Sequence, residues 1–299
     1  MHNDPALRLI IVTGLSGSGK SIAIRQLEDS GYYCVDNLPA EFLSSVVEHL
    51  REHDRNHIAV AIDARSQTTS AALEKQVGLL CERGWDVRAL FLTASTPALI
   101  QRYSETRRRH PLSVPNISGV IGVTLAEAID KERDLLAASA RGAHVIDTSG
   151  LLPNTLRDWV RQFADAPRSL MTVAFESFAF KRGIPVAADL VYDVRNLPNP
   201  YYDPVLRPFT GQDAPVAEFL DKSEQAQAML KDIEQFIRRW LPSYEAQNRH
   251  YLTIAIGCTG GQHRSVYVAE QLAKRFHQTT NVVLRHRQMA QQKNISQTR

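Results

Sequence analysis

Residues 14–21 read GLSGSGKS and meet every fixed position of the phosphate-cradling pattern G-x-x-x-x-G-K-[ST]. The flanks supply the order that this pattern needs. Upstream, Leu7–Val12 is an apolar run broken only by Arg8, which reads as a buried strand, and downstream Ser21–Leu27 carries helix-forming residues. In that setting Gly14, Gly17 and Gly19 let the backbone turn closely around phosphate oxygens. Leu15, Ser16 and Ser18 extend the row of N–H groups, and the positive end of the following helix faces the anion. Lys20 then reaches the β- and γ-phosphates of a nucleotide, and Ser21 offers a hydroxyl to Mg²⁺. A Gly/Ser-rich turn that fits by accident is the alternative, and the strand and helix on either side argue against it.

The chain of 299 residues, 43% hydrophobic and 22% charged, is long enough for two domains of about 150 residues each. It contains no run of about 18 apolar residues, and Met1–Ala6 is short and polar. Neither a transmembrane helix nor a secretory signal is indicated, so no membrane partner and a cytoplasmic location are expected. Cys34, Cys81 and Cys258 are too few and too scattered for a disulfide framework or a C-x-x-C metal site. The formal charge of +3 is mild, so what matters is where the basic residues cluster.

Residues 31–39 read as a short strand closing in Asp36, placed either to bind a metal-bound water or acceptor hydroxyl or simply to cap a turn. A helix over 40–51 leads to the strand-like run 57–63, whose apolar body closing in Asp63 has the Walker B pattern, with a carboxylate for Mg²⁺ opposite Ser21. Arg65 lies in the same loop, within reach of a phosphate. A helix over 70–83 and a strand over 86–93 form another crossover unit, and Thr96 with Pro97 starts the next helix. Arg102, Arg107, Arg108, Arg109 and His110 then cluster before Pro111. They read either as a lid that closes on a transferring phosphate or as a solvated helix end complementing its dipole. A last strand over 142–149 and a helix over 152–163 complete a first domain, residues 1–165. The polar, proline-bearing stretch 164–169 marks the boundary to a second, residues 166–299.

In that second half, residues 170–180 and 190–194 are strand-like, and the proline- and aromatic-rich loop Asn199–Arg207 reads as a binding wall. A helix is expected over about 215–240. It precedes YLTIAIGCTGGQHRS, residues 251–265, again a buried strand entering a glycine loop and leaving on a helix. Cys258, Thr259, Gly260, Gly261, His263, Arg264 and Ser265 form a second anion-binding loop in which Arg264 can grip a phosphate bidentately. Cys258 and Arg264 also have the C-x5-R spacing of cysteine phosphatases, with a nucleophilic Cys258 as the lesser reading. From 271 onward the chain carries Lys274, Arg275, Arg285, Arg287, Lys293 and Arg299 and no acid. That asymmetry suits RNA phosphates, or else a disordered solubilising tail.

Together the stretches 14–21, 33–39 (YCVDNLP), 102–108 (RYSETRR), 175–178 (FESF), 197–200 (LPNP) and 257–265 (GCTGGQHRS) resemble the RapZ family of bacterial RNase adapters and P-loop nucleotide-binding proteins, over nearly the whole chain. The resemblance implies ATP binding at Gly14–Ser21 and GTP binding or hydrolysis at Asp63, Ala64, Arg65 and Ser66. It also implies weak ATPase and GTPase activity, and a C-terminal domain that binds RNA and an aminosugar phosphate. Two departures stand out: Ser66 replaces the family's usual Asn, and Lys293 is a single lysine where RNA-adapter members carry a dense basic run. The expected architecture is α/β, a kinase-like P-loop domain with a parallel sheet followed by a second α/β domain with a phosphate-binding glycine loop. Lys20, Asp63 and Arg65 are the expected catalytic residues. The functional expectation is a nucleotide-driven regulatory switch; a non-catalytic RNA-binding adapter and a small-molecule kinase are the alternatives. A homo-oligomeric assembly is compatible with all three.

Overall fold

A computed structural model describes residues 7–62, 70–107, 109–113, 123–140, 143–166, 171–246 and 251–289. The chain divides into two compact units, Met1–Asp165 and Ala166–Arg299. The first alternates β1 (Arg8–Gly14), α1 (Lys20–Asp29), β2 (Tyr33–Val35), α2 (Leu43–Glu52), β3 (His57–Ala61), α3 (Ser70–Glu82), β4 (Asp86–Thr93), α4 (Thr96–Thr106), α5 (Leu125–Leu136), β5 (His144–Asp147) and α6 (Pro153–Asp165). Its strands form one sheet in the order β2-β3-β1-β4-β5, every pairing parallel. β1 is buried from Leu9 onward because helices cover both faces of a parallel sheet, which is why its sequence runs apolar instead of alternating. Leu9 and Ile11 pack with Leu43, Val47 and Trp85, while Leu15 and Phe91 pack with Leu99 and Ile129.

The chain visits the β3 side of β1 first and the β4 side afterwards, so the strand order reverses at β1 and a crevice opens beyond its C-terminal end. The P-loop leaves from that point. Gly14 makes the exit: its φ is +131°, and a Cβ there would sit 2.0 Å from the Leu92 carbonyl oxygen. Gly14→Ala is therefore expected to destabilise the first unit by more than about 3 kcal/mol, through strain and overlap together, as urea denaturation would report.

The second unit contains β6 (Thr172–Ala179), β7 (Leu190–Asp193), α7 (Ala214–Asp221), α8 (Glu224–Ala246), β8 (Tyr251–Cys258), α9 (Arg264–Phe276) and β9 (Asn281–His286). Its sheet is also wholly parallel, in the order β7-β8-β6-β9. Phe175, Leu230, Ile254, Tyr267 and Phe276 lie in its core. The single helix expected over 215–240 is two, because the Ser223 hydroxyl accepts the Ala226 N–H at 3.3 Å and starts a fresh helix. No described helix is long and apolar enough to cross a membrane.

Candidate functional site

The P-loop is held through its carbonyl oxygens, by its own lysine and by two residues from other elements. Lys20 Nζ donates to Gly14 O at 2.6 Å and Leu15 O at 3.2 Å. Arg102, on α4, donates from Nη1 to Gly17 O at 3.0 Å, and Thr148, just past β5, lies with Oγ1 2.9 Å from Ser18 O. A trans peptide points its N–H opposite to its C=O, so tying the Ser18 carbonyl to Thr148 turns the Gly19 N–H the other way. Arg102 also grips Thr148 itself, through Oγ1 at 3.0 Å and the carbonyl at 2.6 Å, and so clamps the loop after β5 to the P-loop. Burial lowers the Arg102 guanidinium from its ordinary pKa. Along this clamp runs a cleft of about 130 Å³, walled by Arg102, Thr148 and the glycines on one side and by Ile22, Leu151, Leu152, Pro153 and Leu156 on the other. A flat apolar group with a polar rim suits such a wall.

Lys20 and the exposed Ser21 begin α1, at the positive end of the helix. Asp63, Ala64, Arg65 and Ser66 lie outside the described residues. β3, which leads to them, ends beside the P-loop strand, since the Ile62 N–H donates to Val12 O at 2.9 Å. Asp36 is exposed just beyond β2. In the basic cluster, α4 ends with Arg107 at φ +52°, Arg108 lies outside the described residues, and His110 is buried. Among the described residues no group of three or more His, Cys, Asp or Glu could hold a metal ion. A P-loop magnesium asks for less, one hydroxyl, one carboxylate and the nucleotide's own oxygens, and the exposed Ser21 hydroxyl fits the first of these.

In the second unit, Cys258 closes β8 with its thiol buried: Sγ accepts the Gly261 N–H at 3.1 Å and lies 3.1 Å from Ser265 Oγ. Gly261 has φ +69°, and its missing side chain leaves room for Gln288, whose Oε1 is buried with no hydrogen-bond partner among the described residues. Thr259 is exposed, Gly260 has open space where a side chain would stand, and His263 Nε2 lies 3.4 Å from Arg207 O. Arg264 Nη1 donates to Arg195 O at 2.6 Å and Leu197 O at 3.1 Å, so the guanidinium braces the start of the proline-rich loop. Beside it, Arg195 forks onto Asp193, and these hydrogen bonds hold the Asp193 carboxyl below the usual carboxylate range.

The basic C-terminal stretch needs a correction. Arg285 and Arg287 are 3% and 8% exposed, and Arg287 donates to the buried Glu176 at 2.8 Å, so neither is presented to a nucleic acid. Arg275 is paired with Glu234 at 2.9 Å, Lys274 is exposed, and Lys293 lies outside the described residues.

Three site residues escape sequence reasoning. Thr148 looks like an ordinary strand end, Glu132 like a helix surface acid, and Gln288 like part of a tail. Only the first has a local signal, since TSG at residues 148–150 closes a strand at the ligand-facing edge of the sheet.

A family model for the RapZ-like N-terminal domain matches residues 7–168, and one for the RapZ C-terminal domain matches residues 171–290. A curated nucleotide-binding protein of Burkholderia thailandensis is 54% identical over 286 residues, covering 94% of this chain and 95% of the relative. Another from Cupriavidus pinatubonensis is 52% identical over 292 residues, covering 95% of this chain and 99% of the relative. Among solved structures, shikimate kinase from Acinetobacter baumannii matches 53% of this chain and 93% of its own, at 20% identity and a TM-score of 0.35. A sugar kinase from Janibacter matches 53% of this chain and 94% of its own, at 14% identity and the same TM-score.

Proposed function

This chain belongs to the RapZ family, and on that premise we propose that it is a nucleotide-dependent regulatory switch, a slow ATPase or GTPase whose second unit binds a phosphorylated small molecule such as an aminosugar phosphate. The observation that carries the nucleotide reading is the clamped P-loop: its carbonyls are engaged by its own Lys20 and, from outside, by Arg102 and Thr148, and a cleft continues from it along apolar walls. Triphosphate oxygens fit the glycine loop and the start of α1, and a purine fits the cleft beside Arg102. Lys20 would steady the β- and γ-phosphates, and Ser21 with Asp63 would hold Mg²⁺, which supplies charge neutralisation at the phosphates. Arg65 is the residue proposed to meet the γ-phosphate.

Isothermal titration of the full chain with ATP and GTP, with and without Mg²⁺, tests this reading; failure of the native chain to bind either would overturn it. Arg102→Ala is expected to weaken nucleotide binding about tenfold or more, because it removes one wall of the cleft and the Gly17 and Thr148 contacts together. Appearance of free phosphate alone, whatever metabolite is offered, separates a hydrolase from a small-molecule kinase.

For the second unit, the buried Gln288 Oε1 behind Gly261, which has no hydrogen-bond partner among the described residues, and the Asp193–Arg195 fork favour a small polar ligand. With Arg285 and Arg287 buried, an RNA reading would rest on the remaining basic residues of that stretch, Lys274, Arg275, Lys293 and Arg299. Addition of an aminosugar phosphate is expected to raise the melting temperature of the full chain; an unchanged melting curve across a wide concentration range counts against it.

A further inference from the structure

α5 places Ala128, Ile129, Glu132 and Leu136 on its inner face, and all four are buried. Three are apolar, and the fourth is a carboxylate with 0% exposure. A glutamate is almost never so placed unless it is fully partnered. Its partners are two residues far away in the chain. Glu132 accepts the Ser16 N–H at 3.0 Å, the Ser16 hydroxyl at 2.7 Å and His110 Nε2 at 3.1 Å. The tautomer of His110 follows from its other nitrogen: Nδ1 accepts the Leu112 N–H at 3.1 Å, so the ring proton sits on Nε2 and points at the carboxylate. His110 is fixed in turn by the Tyr103 ring at 5.3 Å, and the Ser113 hydroxyl donates to its carbonyl at 2.6 Å.

The third residue of the phosphate-binding pattern is thus held by a buried carboxylate and does not offer its N–H to a phosphate. The N–H groups of Leu15 and Ser18 are engaged as well, on Leu92 O at 3.0 Å and Leu15 O at 3.1 Å, so these three residues do not extend the row of N–H groups as expected. We propose that Glu132 is a positioning residue of the P-loop: through Ser16 it sets the first half of the loop in its binding conformation, and through His110 it ties the segment after α4 to that same loop. The proposal rests on the nucleotide reading above. A carboxylate is suited to the task because it accepts from three donors at once, whereas an amide would turn an NH₂ group against one of them.

The test is nucleotide titration of the full chain, using whichever of ATP or GTP the native chain binds, with Mg²⁺ and beside a melting curve for each variant. Glu132→Gln is expected to weaken Kd at least tenfold while the chain still melts cooperatively. Ser16→Ala is expected to cost less, because it keeps the N–H bond, and the Ser16→Ala/Glu132→Gln double variant is expected to bind no worse than Glu132→Gln alone. That non-additivity in affinity is a readout that a purely structural role would not produce. Native affinity in a folded Glu132→Gln chain, or strictly additive losses, would overturn the proposal. Should Glu132→Gln fail to fold, His110→Ala against His110→Gln decides: affinity lost in the first and restored in the second supports the proposal, because glutamine can again donate to Glu132, and native affinity in both overturns it. Absence of binding in the native chain itself would instead remove the nucleotide reading beneath it.

Discussion

Lys20→Ala is expected to abolish measurable nucleotide turnover and to weaken triphosphate binding about 10²-fold or more, while leaving the melting curve of the chain nearly unchanged. Lys20 is half-buried at the start of α1, and its ammonium group rests on the carbonyl oxygens of Gly14 and Leu15 at 2.6 Å and 3.2 Å. Those contacts keep a flexible side chain folded over the loop, so the charge already stands where phosphate oxygens would enter. Its removal is expected to cost the native fold little, because the ties of Arg102 to Gly17 O and Thr148 to Ser18 O remain. It costs a bound triphosphate its nearest fixed cation among the residues of the loop. Turnover of released phosphate by the Lys20→Ala chain at the native rate would show that hydrolysis takes place elsewhere.

Glu176→Ala is expected to destabilise the second unit by about 3–5 kcal/mol. Glu176 stands in the middle of β6, opposite Arg285 of β9 in the strand register, and accepts from Arg287 at 2.8 Å. All three side chains are buried. Burial pulls the Arg285 guanidinium down to about 10, with the charge of Glu176 working in the other direction. Without that carboxylate, two guanidinium groups remain in a low-dielectric interior with their main counter-charge gone. Urea denaturation of the full chain would register the loss. Glu176→Leu combined with Arg287→Met is expected to be milder than Glu176→Ala, since replacing a buried pair outright leaves less charge uncompensated than breaking it.

The first unit is legible in sequence because one motif constrains its surroundings: a glycine loop that must follow a strand and open a helix places β1, α1 and the crevice between them. The strand order is less legible, since nothing within residues 57–61 or 86–93 says that both flank β1. Where sequence reading fails, the cause is a partner distant in the chain. Glu132 falls on a helix face like any surface acid until Ser16 and His110 are brought to it. Arg264 has the spacing of an anion-gripping arginine, and only the folded loop shows its guanidinium bracing the carbonyls of Arg195 and Leu197. Arg285 and Arg287 count as tail charges in composition. Arg285 lies in β9 and Arg287 in the turn just after it, and Glu176, the buried carboxylate that Arg287 meets, lies in another strand.

The order of strands in the second sheet also governs how the chain is made. β6 is synthesised before β8 and β9 yet lies between them, while β7 pairs, among the described residues, with β8 alone. Neither of the early strands can pair with the other. The apolar β6 therefore waits with both edges open until β8 and β9 have been made. Until then the second unit is exposed to aggregation, and a stalled or truncated chain that lacks β9 would keep one edge of β6 unpaired.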